Sequence, residues 1–449
     1  MKENKVLTGK INLVFFSYAI PVALGLLAVS SAAIIDGLFI GNYVGEKALA
    51  AVAIATPVFP FLFGVAIMFA TGGEVFCGKY LGEGRSRLAS DVFTKIVLLI
   101  QALTILISVV GILFLEPLAT LLGAQADTME LVTSYLRVIF LCSPLIASYS
   151  LSYFIRVDGR PQLSAGALVI TAVLNVILDY LFIVVFNWRI EGAAWGTMLS
   201  YCAMPVLLLP HFIQQKGQIG FVKPIESWKI IGKIAYNGSS EFLSEISGGI
   251  LFTIINVTMI RFYGTSGVAA YAIVGYLLLF VTTTNYGVSD SLKSIISINH
   301  GAGQKQRVGQ FLRLAIGTVS VFGAIIILIT QLEASTLVSL FLNNERANTE
   351  TIKLANQFLV SISPIFLILG TNIILSAYFT AIHQPGPSLI ISLLRTLILP
   401  IILIPTLTEF WSGIGIFIAL ISSEAITLTV AIFIAGSKRE KRPQPESFF

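Results

Sequence analysis

The chain has 449 residues, of which 56% are hydrophobic and only 11% are charged. Soluble domains carry about 25% charged residues, so this composition, with a mean hydropathy of +0.89, excludes a soluble globular protein. It predicts a protein that crosses the membrane many times. The net charge of +5 is distributed along the chain in a way that excludes a nucleic-acid-binding surface.

The apolar sequence is interrupted by turn and charge clusters that divide it into twelve predicted membrane-spanning helices. Each helical span needs about 20 apolar residues, and the short alternating strands typical of a membrane barrel are absent from the sequence. In chain order the predicted spans cover residues 14–40, 47–70, 90–115, 129–155, 161–186, 191–213, 233–260, 265–290, 308–331, 352–380, 387–406 and 411–435. We therefore predict an all-α membrane protein.

Lys and Arg are distributed unevenly over the loops between these spans. A cytoplasmic N-terminus places most of them on cytoplasmic segments, including Arg156, Arg160 and the run from Lys438 to Arg442, while the external segments lean acidic. This is the positive-inside asymmetry of membrane proteins. We expect a multi-pass protein of the cell inner (plasma) membrane with both termini in the cytoplasm. Its basic residues are expected to contact anionic lipid and no nucleic acid.

The chain contains an internal repeat. The segment from Gly45 to Arg85 aligns without gaps with the segment from Gly264 to Gln304, and the glycines at both turns recur. Six spans per half is an even number, so both halves enter the membrane in the same direction, as parallel repeats. We predict two pseudo-symmetric six-helix bundles, which are an N-terminal lobe (1–213) and a C-terminal lobe with a basic cytoplasmic tail (233–449). A cytoplasmic linker (214–232) joins them.

Two carboxylates lie inside predicted spans of the N-terminal half, where an acidic side chain costs about 2.5–3.5 kcal/mol on insertion scales. Asp36 is in the outer half of the first span, and Asp179 is in the outer half of the fifth. Asn175 lies one helical turn before Asp179, on the same helix face. Thr197 lies about two turns into the sixth span. We therefore expect these four side chains to meet at one depth.

Their chemistry suits a small cation. Two carboxylates, an amide oxygen and a hydroxyl form an all-oxygen set appropriate to a hard cation, so one expectation is a Na⁺ site at Asp36, Asn175, Asp179 and Thr197. The other expectation is a proton, because two neighbouring carboxylates out of water can share one. The alternative is structural: Asp36 would cap the external end of its helix, and Asp179 would pair with Arg137.

Pro21 interrupts the first span well before Asp36. Proline removes one backbone hydrogen bond of a helix and favours a kink. We predict a hinge at Pro21 that bends when the charge of Asp36 changes, and a static kink held by packing is the alternative.

The C-terminal half also carries charged residues in apolar spans. Glu241 and Glu245 are one helical turn apart in the seventh span, and Arg395 lies in the eleventh. An unpaired buried charge is costly, so we expect Glu245 to pair with Arg395, for structure or for coupling. Glu241 lies near enough to the cytoplasmic surface for simple solvation to be the alternative.

The sequence lacks the motifs of an ATP-driven pump or a membrane enzyme. It contains no Gly-x-x-x-x-Gly-Lys-Ser/Thr motif and no Ser-His-Asp or His-Glu-x-x-His arrangement. We therefore predict no enzymatic activity and no cofactor other than a coupling ion, H⁺ or Na⁺. Phe and Tyr are frequent, and an aromatic-lined acidic cleft favours lipophilic cations. The expected partners are small cationic substrates and the lipid bilayer, and we expect a monomer.

A series of short motifs resembles the multidrug and toxic compound extrusion (MATE) family of secondary transporters. The motifs, in chain order, are Pro21 followed by Ile35–Gly41, Ala48–Ala51, Gly159–Pro161, Asn175–Tyr180 and Gly192–Thr197. The resemblance covers nearly the whole chain. It implies two six-helix lobes that export organic cations in exchange for H⁺ or Na⁺.

The resemblance also implies where the coupling ion binds. In the prokaryotic branch related to DNA-damage-inducible transporters, the matching positions are Asp36, Asn175 and Asp179, with Thr197 on the sixth helix. Other branches use a glutamate on the seventh helix, which Glu245 matches. They also use an aspartate on the tenth helix, and the tenth span here contains neither Asp nor Glu. The first lobe is therefore the expected location.

The resulting prediction is a multidrug-efflux antiporter that is driven by an ion gradient, works by alternating access and confers drug resistance. Within transport, the alternative is a lipid-linked oligosaccharide flippase of a related fold. A flippase needs basic side chains for pyrophosphate, whereas this chain offers mainly acids. From a different class, the alternative is a membrane receptor or scaffold that transports nothing.

Overall fold

The computed structural model describes residues 5–225, 227–341 and 349–440. Residues 441–449, which end the predicted basic tail, lie outside the described part. The described residues form helices and no strands.

Eleven long or paired helices make up most of the described chain. They are α1 (Ile11–Val44), α2 (Glu46–Gly82), α3 (Ser86–Leu113), α4 (Met129–Val157), α5 (Pro161–Val185), α6 (Arg189–Ile213), α7 (Ile230–Gly301), α8 (Lys305–Leu332), α9 (Thr349–Ile362), α10 (Ile365–Ala381) and α11 (Pro385–Gly436). The backbone of the last helix continues to Glu440. Short helices occupy Lys5–Thr8, Leu115–Leu121 and Ala334–Phe341.

The helices of the described part account for all twelve predicted spans. Nine of them are long and apolar enough to cross a membrane, and the pair α9 and α10, bent by 52°, forms a tenth candidate. Two of the nine, α7 with 72 residues and α11 with 52, are long enough for two spans and are interrupted, α7 at Gly264 and α11 at the 3₁₀ turn Ser412–Ile414. Each of these two therefore contains two predicted spans. The prediction of an all-α membrane protein with twelve spans is confirmed.

The paired turns of the internal repeat have glycines with positive φ at matching positions. Gly84 and its counterpart Gly303 have φ angles of 74° and 70°, and Gly45 and Gly264 have φ angles of 108° and 61°. This left-handed region is costly for a residue with a β-carbon and is open to glycine. The repeated glycines therefore mark turns with the same sign of φ in both copies.

The chain forms two compact units. The first unit contains the chain up to Ile246 together with Thr283–Leu314 and Thr380–His383. The second contains Ser247–Thr282, Ala315–Phe379 and the chain from Gln384 onwards. The division into lobes at residues 213 and 233 stays a prediction.

Within the first unit, α5 is the central element of the region that contains Asp36 and Asp179. α1 and α6 both pack against α5, and the start of α6 also contacts the π-helical end of α1. α5 begins with Pro161 at its first position, where the missing backbone N–H costs nothing. Packing therefore fixes the relative positions of the three helices that bear Asp36 (α1), Asp179 (α5) and Thr197 (α6).

The predicted linker is hydrogen-bonded to α3 in the same unit. Three backbone N–H groups donate to α3 side chains, from Gly220 to Ser90 (3.2 Å), Val222 to Thr94 (3.1 Å) and Ile225 to Asp91 (2.7 Å). Asp91 also forms a buried ion pair with Lys95, with 2.6 Å between Oδ2 and Nζ. Residues 220–225 of this segment are therefore held to α3 by specific polar contacts.

Candidate ion-coupling site

Asp36 and Asp179 both lie next to a π-helical segment. The α-helical part of α1 ends at Phe39 and continues as a π helix over Ile40–Val44. Asp179 is the last residue of the α-helical part of α5 and precedes a π helix over Tyr180–Val185. π-helical insertions are rare and occur often at functional sites, since they change the direction in which side chains project.

The carboxylate of Asp179 is fully buried (0% exposed). Neither of its oxygens, nor Oδ1 of Asp36, has a hydrogen-bond partner by distance and angle among the described residues. Asp36 lies close enough to Asp179 to interact with it electrostatically, and Tyr135 of α4 lies within the same range of both. Buried carboxylate oxygens without donors are unfavourable when they carry negative charge. A bound cation or a shared proton would relieve this cost.

The predicted amide and hydroxyl groups are also brought together. Nδ2 of Asn175 donates a long hydrogen bond of 3.5 Å to Oγ1 of Thr197, and Asn175 is close enough to Asp179 for their side chains to interact. The four predicted residues thus lie on α1, α5 and α6 as two pairs: Asn175 is hydrogen-bonded to Thr197, and Asp36 is within electrostatic range of Asp179. No group of three or more His, Cys, Asp or Glu side chains suited to a metal ion occurs among the described residues. A Na⁺ ion here would therefore need the amide and hydroxyl oxygens as well as the two carboxylates.

Pro21 lies inside α1 without ending the helix, which runs as an α-helix from Ile11 to Phe39. The residues before and after Pro21 both keep the α-helical conformation. The hinge function of Pro21 stays a prediction.

Glu241 belongs to an ion-pair network and is not merely solvated. Its Oε1 lies 2.8 Å from Nζ of Lys293, which also lies 2.8 Å from Oδ1 of Asp290. Glu245, one turn further along α7, lies within electrostatic range of Glu241 and Asp290. The first half of α7 therefore presents two carboxylates to the same region of the first unit.

Arg395 pairs with Glu424 in the second unit, so the predicted pairing of Arg395 with Glu245 is wrong. Nε of Arg395 donates to Oε1 of Glu424 at 3.1 Å, and Nδ2 of Asn372 donates to Oε2 of Glu424 at 2.6 Å. Glu245 and Glu424 both lie in predicted spans, so position along a span does not show which of them pairs with Arg395. The tenth span, which has no acid of its own, contributes Asn372 to this cluster.

The largest omission of the sequence reasoning is a buried charge network around Glu74 and Arg156. Nη2 of Arg156 lies 3.7 Å from Oε2 of Glu74 and 3.4 Å from Oδ2 of Asp290. The hydroxyl of Ser294 donates to Oε1 of Glu74. Through Asp290 the network joins Lys293 and Glu241, so it includes three carboxylates and two cations.

A signal for this network was present in the sequence. Glu74 lies just past the predicted second span (47–70) but inside the same apolar helix, α2 (Glu46–Gly82), and an acid in an apolar helix is the criterion that selected Asp36 and Asp179. Arg156 was assigned to a cytoplasmic segment on its charge, whereas it is only 1% exposed. A count of positive charges in loops does not distinguish a solvated arginine from a buried one at the end of a helix.

Comparison with known proteins agrees with this architecture. The family model MatE matches residues 21–181 and 242–406. The chain is similar to the multidrug export protein MepA of Staphylococcus saprophyticus, at 24% identity over 434 residues, covering 94% of this chain and 93% of that protein. It is also similar to an FAD transporter of Shewanella oneidensis, at 26% identity over 432 residues with the same coverage.

A solved structure of MATE in complex with MaL6 superimposes with a TM-score of 0.90 over 98% of both chains, at 20% sequence identity. At this sequence identity the structural likeness shows the fold alone. The family is shown by the match to the family model, which covers most of the chain. Membership of a transporter family is consistent with the prediction that the chain is not an enzyme. The chain belongs to the MatE family and is a multidrug and toxic compound extrusion (MATE) transporter.

Proposed function

We propose that this chain is a secondary active antiporter that exports lipophilic organic cations, in exchange for H⁺ or Na⁺, by alternating access. The observation that carries the proposal is the pair of carboxylates Asp36 and Asp179. Both oxygens of Asp179 and Oδ1 of Asp36 are buried without a hydrogen-bond donor among the described residues. No cofactor other than the coupling ion is required. We also propose that it acts as a monomer in the inner membrane with both termini in the cytoplasm.

The coupling step follows from the cost of an empty site. With no ion bound, two neighbouring carboxylates are held out of water, which is unfavourable for their charged forms. Binding of H⁺ or Na⁺ neutralises part of this charge and stabilises the arrangement of α1, α5 and α6 around it. An ion gradient can thus change the relative stability of two conformations, provided that the ion binds one conformation more tightly.

The preference for cationic substrates is supported by a cluster of aromatic rings in the first unit. Phe63 lies 5.7 Å from Tyr149 and 5.6 Å from Tyr201, measured between ring centroids. Tyr149 also lies within electrostatic range of Glu245 and Asp290. Aromatic faces beside carboxylates favour a flat, positively charged molecule through apolar contact and cation–π attraction. The multidrug export protein among its relatives is consistent with such substrates.

The test uses purified protein in proteoliposomes that contain a fluorescent organic cation such as ethidium. A pH gradient and a Na⁺ gradient are imposed separately, and the movement of dye is followed. We expect one of the two gradients to drive transport in the wild-type protein. We expect Asp36→Asn and Asp179→Asn to abolish this response while the protein remains folded by thermal unfolding and size-exclusion chromatography.

The matched control is Asp127→Asn, since Asp127 is an exposed acid in the loop between α3 and α4. Its transport should equal that of the wild-type protein. Wild-type transport by folded Asp36→Asn protein would reject the proposed coupling site. Absence of dye movement under either gradient in the wild-type protein would reject cation antiport itself.

A further inference from the structure

The two copies of the internal repeat contact each other in the first unit, where α2 packs against the last part of α7 (residues 283–301). In the gap-free alignment of the copies, Gly82 corresponds to Gly301 and Lys79 corresponds to Ile298. A β-carbon at Gly82 would lie 2.1 Å from the backbone oxygen of Ile298, and one at Gly301 would lie 2.1 Å from the backbone oxygen of Lys79. Corresponding residues therefore make the same contact from both sides, as in a two-fold symmetric interface.

The same contact continues one turn along both helices. Gly78 precedes Gly82 by one turn and corresponds to Ser297, which precedes Gly301 by one turn. A β-carbon at Gly78 would lie 2.0 Å from Oγ of Ser297, so these two counterparts also face each other. Glycine at such positions lets two helix backbones approach closely. The sequence repeat thus corresponds to a local two-fold contact between α2 and α7.

The charged residues next to this contact also join the two halves of the chain, which are α1 to α6 and α7 to α11. Nη2 of Arg156, on α4, lies 3.4 Å from Oδ2 of Asp290, on α7. The hydroxyl of Ser294, on α7, donates to Oε1 of Glu74, on α2. All four residues are buried. Charged groups of the first half therefore bond directly to polar groups of the second half.

Each charged member of this network also has a partner within its own half. Nη2 of Arg156 lies 3.7 Å from Oε2 of Glu74. Oδ1 of Asp290 lies 2.8 Å from Nζ of Lys293, which lies at the same distance from Oε1 of Glu241. A buried charge that loses its only partner is strongly destabilising. If the two halves separate here, Arg156 keeps Glu74 and Asp290 keeps Lys293, so no charge is left alone.

Two other buried ion pairs are arranged differently. Asp91 and Lys95 lie on one helix, α3, and Arg395 and Glu424 both lie in the second half. These pairs stabilise one half and do not join it to the other. A pair that spans the halves, with a second partner on each side, can break and re-form without the cost of an isolated buried charge.

We propose that the contact between α2 and the last part of α7 is a gate that closes one end of the transport pathway and opens in each transport cycle. The gate is held shut by the ion pair of Arg156 with Asp290, and the hydrogen bond from Ser294 supports it. This inference rests on the proposed alternating access. The predicted orientation places the gate at the cytoplasmic side, and the gate uses none of the four proposed coupling residues.

The test follows a cysteine buried in the gate. Ser297→Cys is introduced into the full-length protein after Cys77, Cys142 and Cys202 are replaced by alanine. Ser297 is 0% exposed and belongs to none of the ion pairs of the network. Its rate of alkylation by N-ethylmaleimide in detergent therefore reports how often the gate opens. We expect slow alkylation while the gate ion pair is intact.

Two matched variants separate the gate ion pair from the rest of the network. Asp290→Asn and Glu241→Gln each remove one carboxylate from Lys293 and leave it the other, but only Asp290 also pairs across the halves. We expect Asp290→Asn to raise the alkylation rate about ten- to hundredfold, as loss of a hydrogen bond to a charged group implies. Glu241→Gln should leave the rate close to that of the parent protein.

The two-fold contact itself is tested by adding one methyl group on either side. Gly82→Ala and Gly301→Ala should both raise the alkylation rate, because each places a β-carbon against the backbone of the other helix. The control is Gly309→Ala, since Gly309 has open space at that position. A second reporter, Ser164→Cys, is buried on α5 and should keep a slow rate in every variant.

The reporter is also followed during transport. In proteoliposomes that contain ethidium, the ion gradient that drives dye movement should speed the alkylation of Ser297→Cys, since each cycle opens the gate. Dye transport without this increase would show that the contact is static and would overturn the proposal.

Two further results would overturn the gate. One is alkylation of Ser297→Cys at the parent rate in Asp290→Asn. The other is an equal increase at Ser164→Cys, which would show that the network only stabilises the fold. Absence of dye movement under any gradient would reject the proposed antiport, whereas the comparison of Asp290→Asn with Glu241→Gln in detergent would still decide whether the contact opens.

Discussion

Gly196 of α6 lies directly against the carboxylate of Asp179 on α5. A β-carbon at position 196 would lie 2.1 Å from Oδ1 of Asp179 and 3.1 Å from its backbone nitrogen. A real β-carbon does not approach another atom this closely, so only glycine fits here without displacement. The close approach of α6 to α5 is therefore what places Thr197, the next residue, beside Asn175.

Substitution of Gly196 by alanine should displace the carboxylate of Asp179 or separate α6 from α5. We expect an overpacking cost of about 1–3 kcal/mol and a strong reduction of ion-driven dye transport in proteoliposomes. Thermal unfolding reports the first effect, and the transport rate reports the second. The control is Gly166→Ala, since Gly166 lies on α5, the helix that carries Asp179, and has open space where its β-carbon would lie. Equal transport rates in the two variants would show that this contact does not position Asp179.

Arg156 is the cation that holds two buried carboxylates, Glu74 and Asp290. Removing one partner of a buried ion pair leaves an uncompensated charge and typically costs about 3–5 kcal/mol. We expect Arg156→Gln to lower the thermal unfolding temperature clearly, and a second change, Glu74→Gln, to recover part of the loss. A double-mutant cycle measures this coupling. Strictly additive effects of the two changes would contradict a direct interaction.

Asp91 joins the predicted linker to α3. Asp91→Ala removes the acceptor for the N–H of Ile225 and the carboxylate that pairs with Lys95. We expect faster tryptic cleavage after Lys229, which is exposed near the end of this segment, because the chain there is no longer held. Asp91→Asn keeps an acceptor oxygen and should have an intermediate effect. The control is Glu83→Ala, since Glu83 is exposed in the turn at the end of α2. Equal cleavage rates in the wild-type protein, both Asp91 variants and this control would refute the role of Asp91.

Glu424 tests whether the second unit contributes to coupling. It accepts hydrogen bonds from Arg395 and Asn372, so Glu424→Gln should destabilise the protein by weakening a buried charged cluster. Because the proposed coupling site lies in the first unit, we expect the variant to keep its response to the driving ion gradient. Exposed Glu409 provides the control, Glu409→Gln. A folded Glu424→Gln protein that has lost ion-driven transport would place coupling in the second unit instead.

Hydropathy was sufficient to locate all twelve spans because insertion into a membrane depends on a local property, about 20 apolar residues in sequence. The same reasoning placed Asp36 and Asp179 at one depth, since position along a span converts directly into depth. The glycine pairs of the repeat were also visible, because a left-handed turn restricts the residue type at that position. These inferences needed no knowledge of which helices are neighbours.

To predict which charged residues pair, one must know which helices are neighbours. Arg395 pairs with Glu424 and not with Glu245, although all three lie in predicted spans. The hydrogen bond between Ser294 and Glu74 joins residues 220 positions apart, and no local pattern indicates that these two positions meet.

The division between the two kinds of information has a simple physical origin. Transfer from water to lipid is a property of each segment alone, so hydropathy and charge in the chain decide class, spans and depth. Ion pairs and the fit of Gly196 against Asp179 depend on distances between residues that a hydropathy pattern does not give. Only packing sets those distances, because short-range contacts change steeply over an ångström.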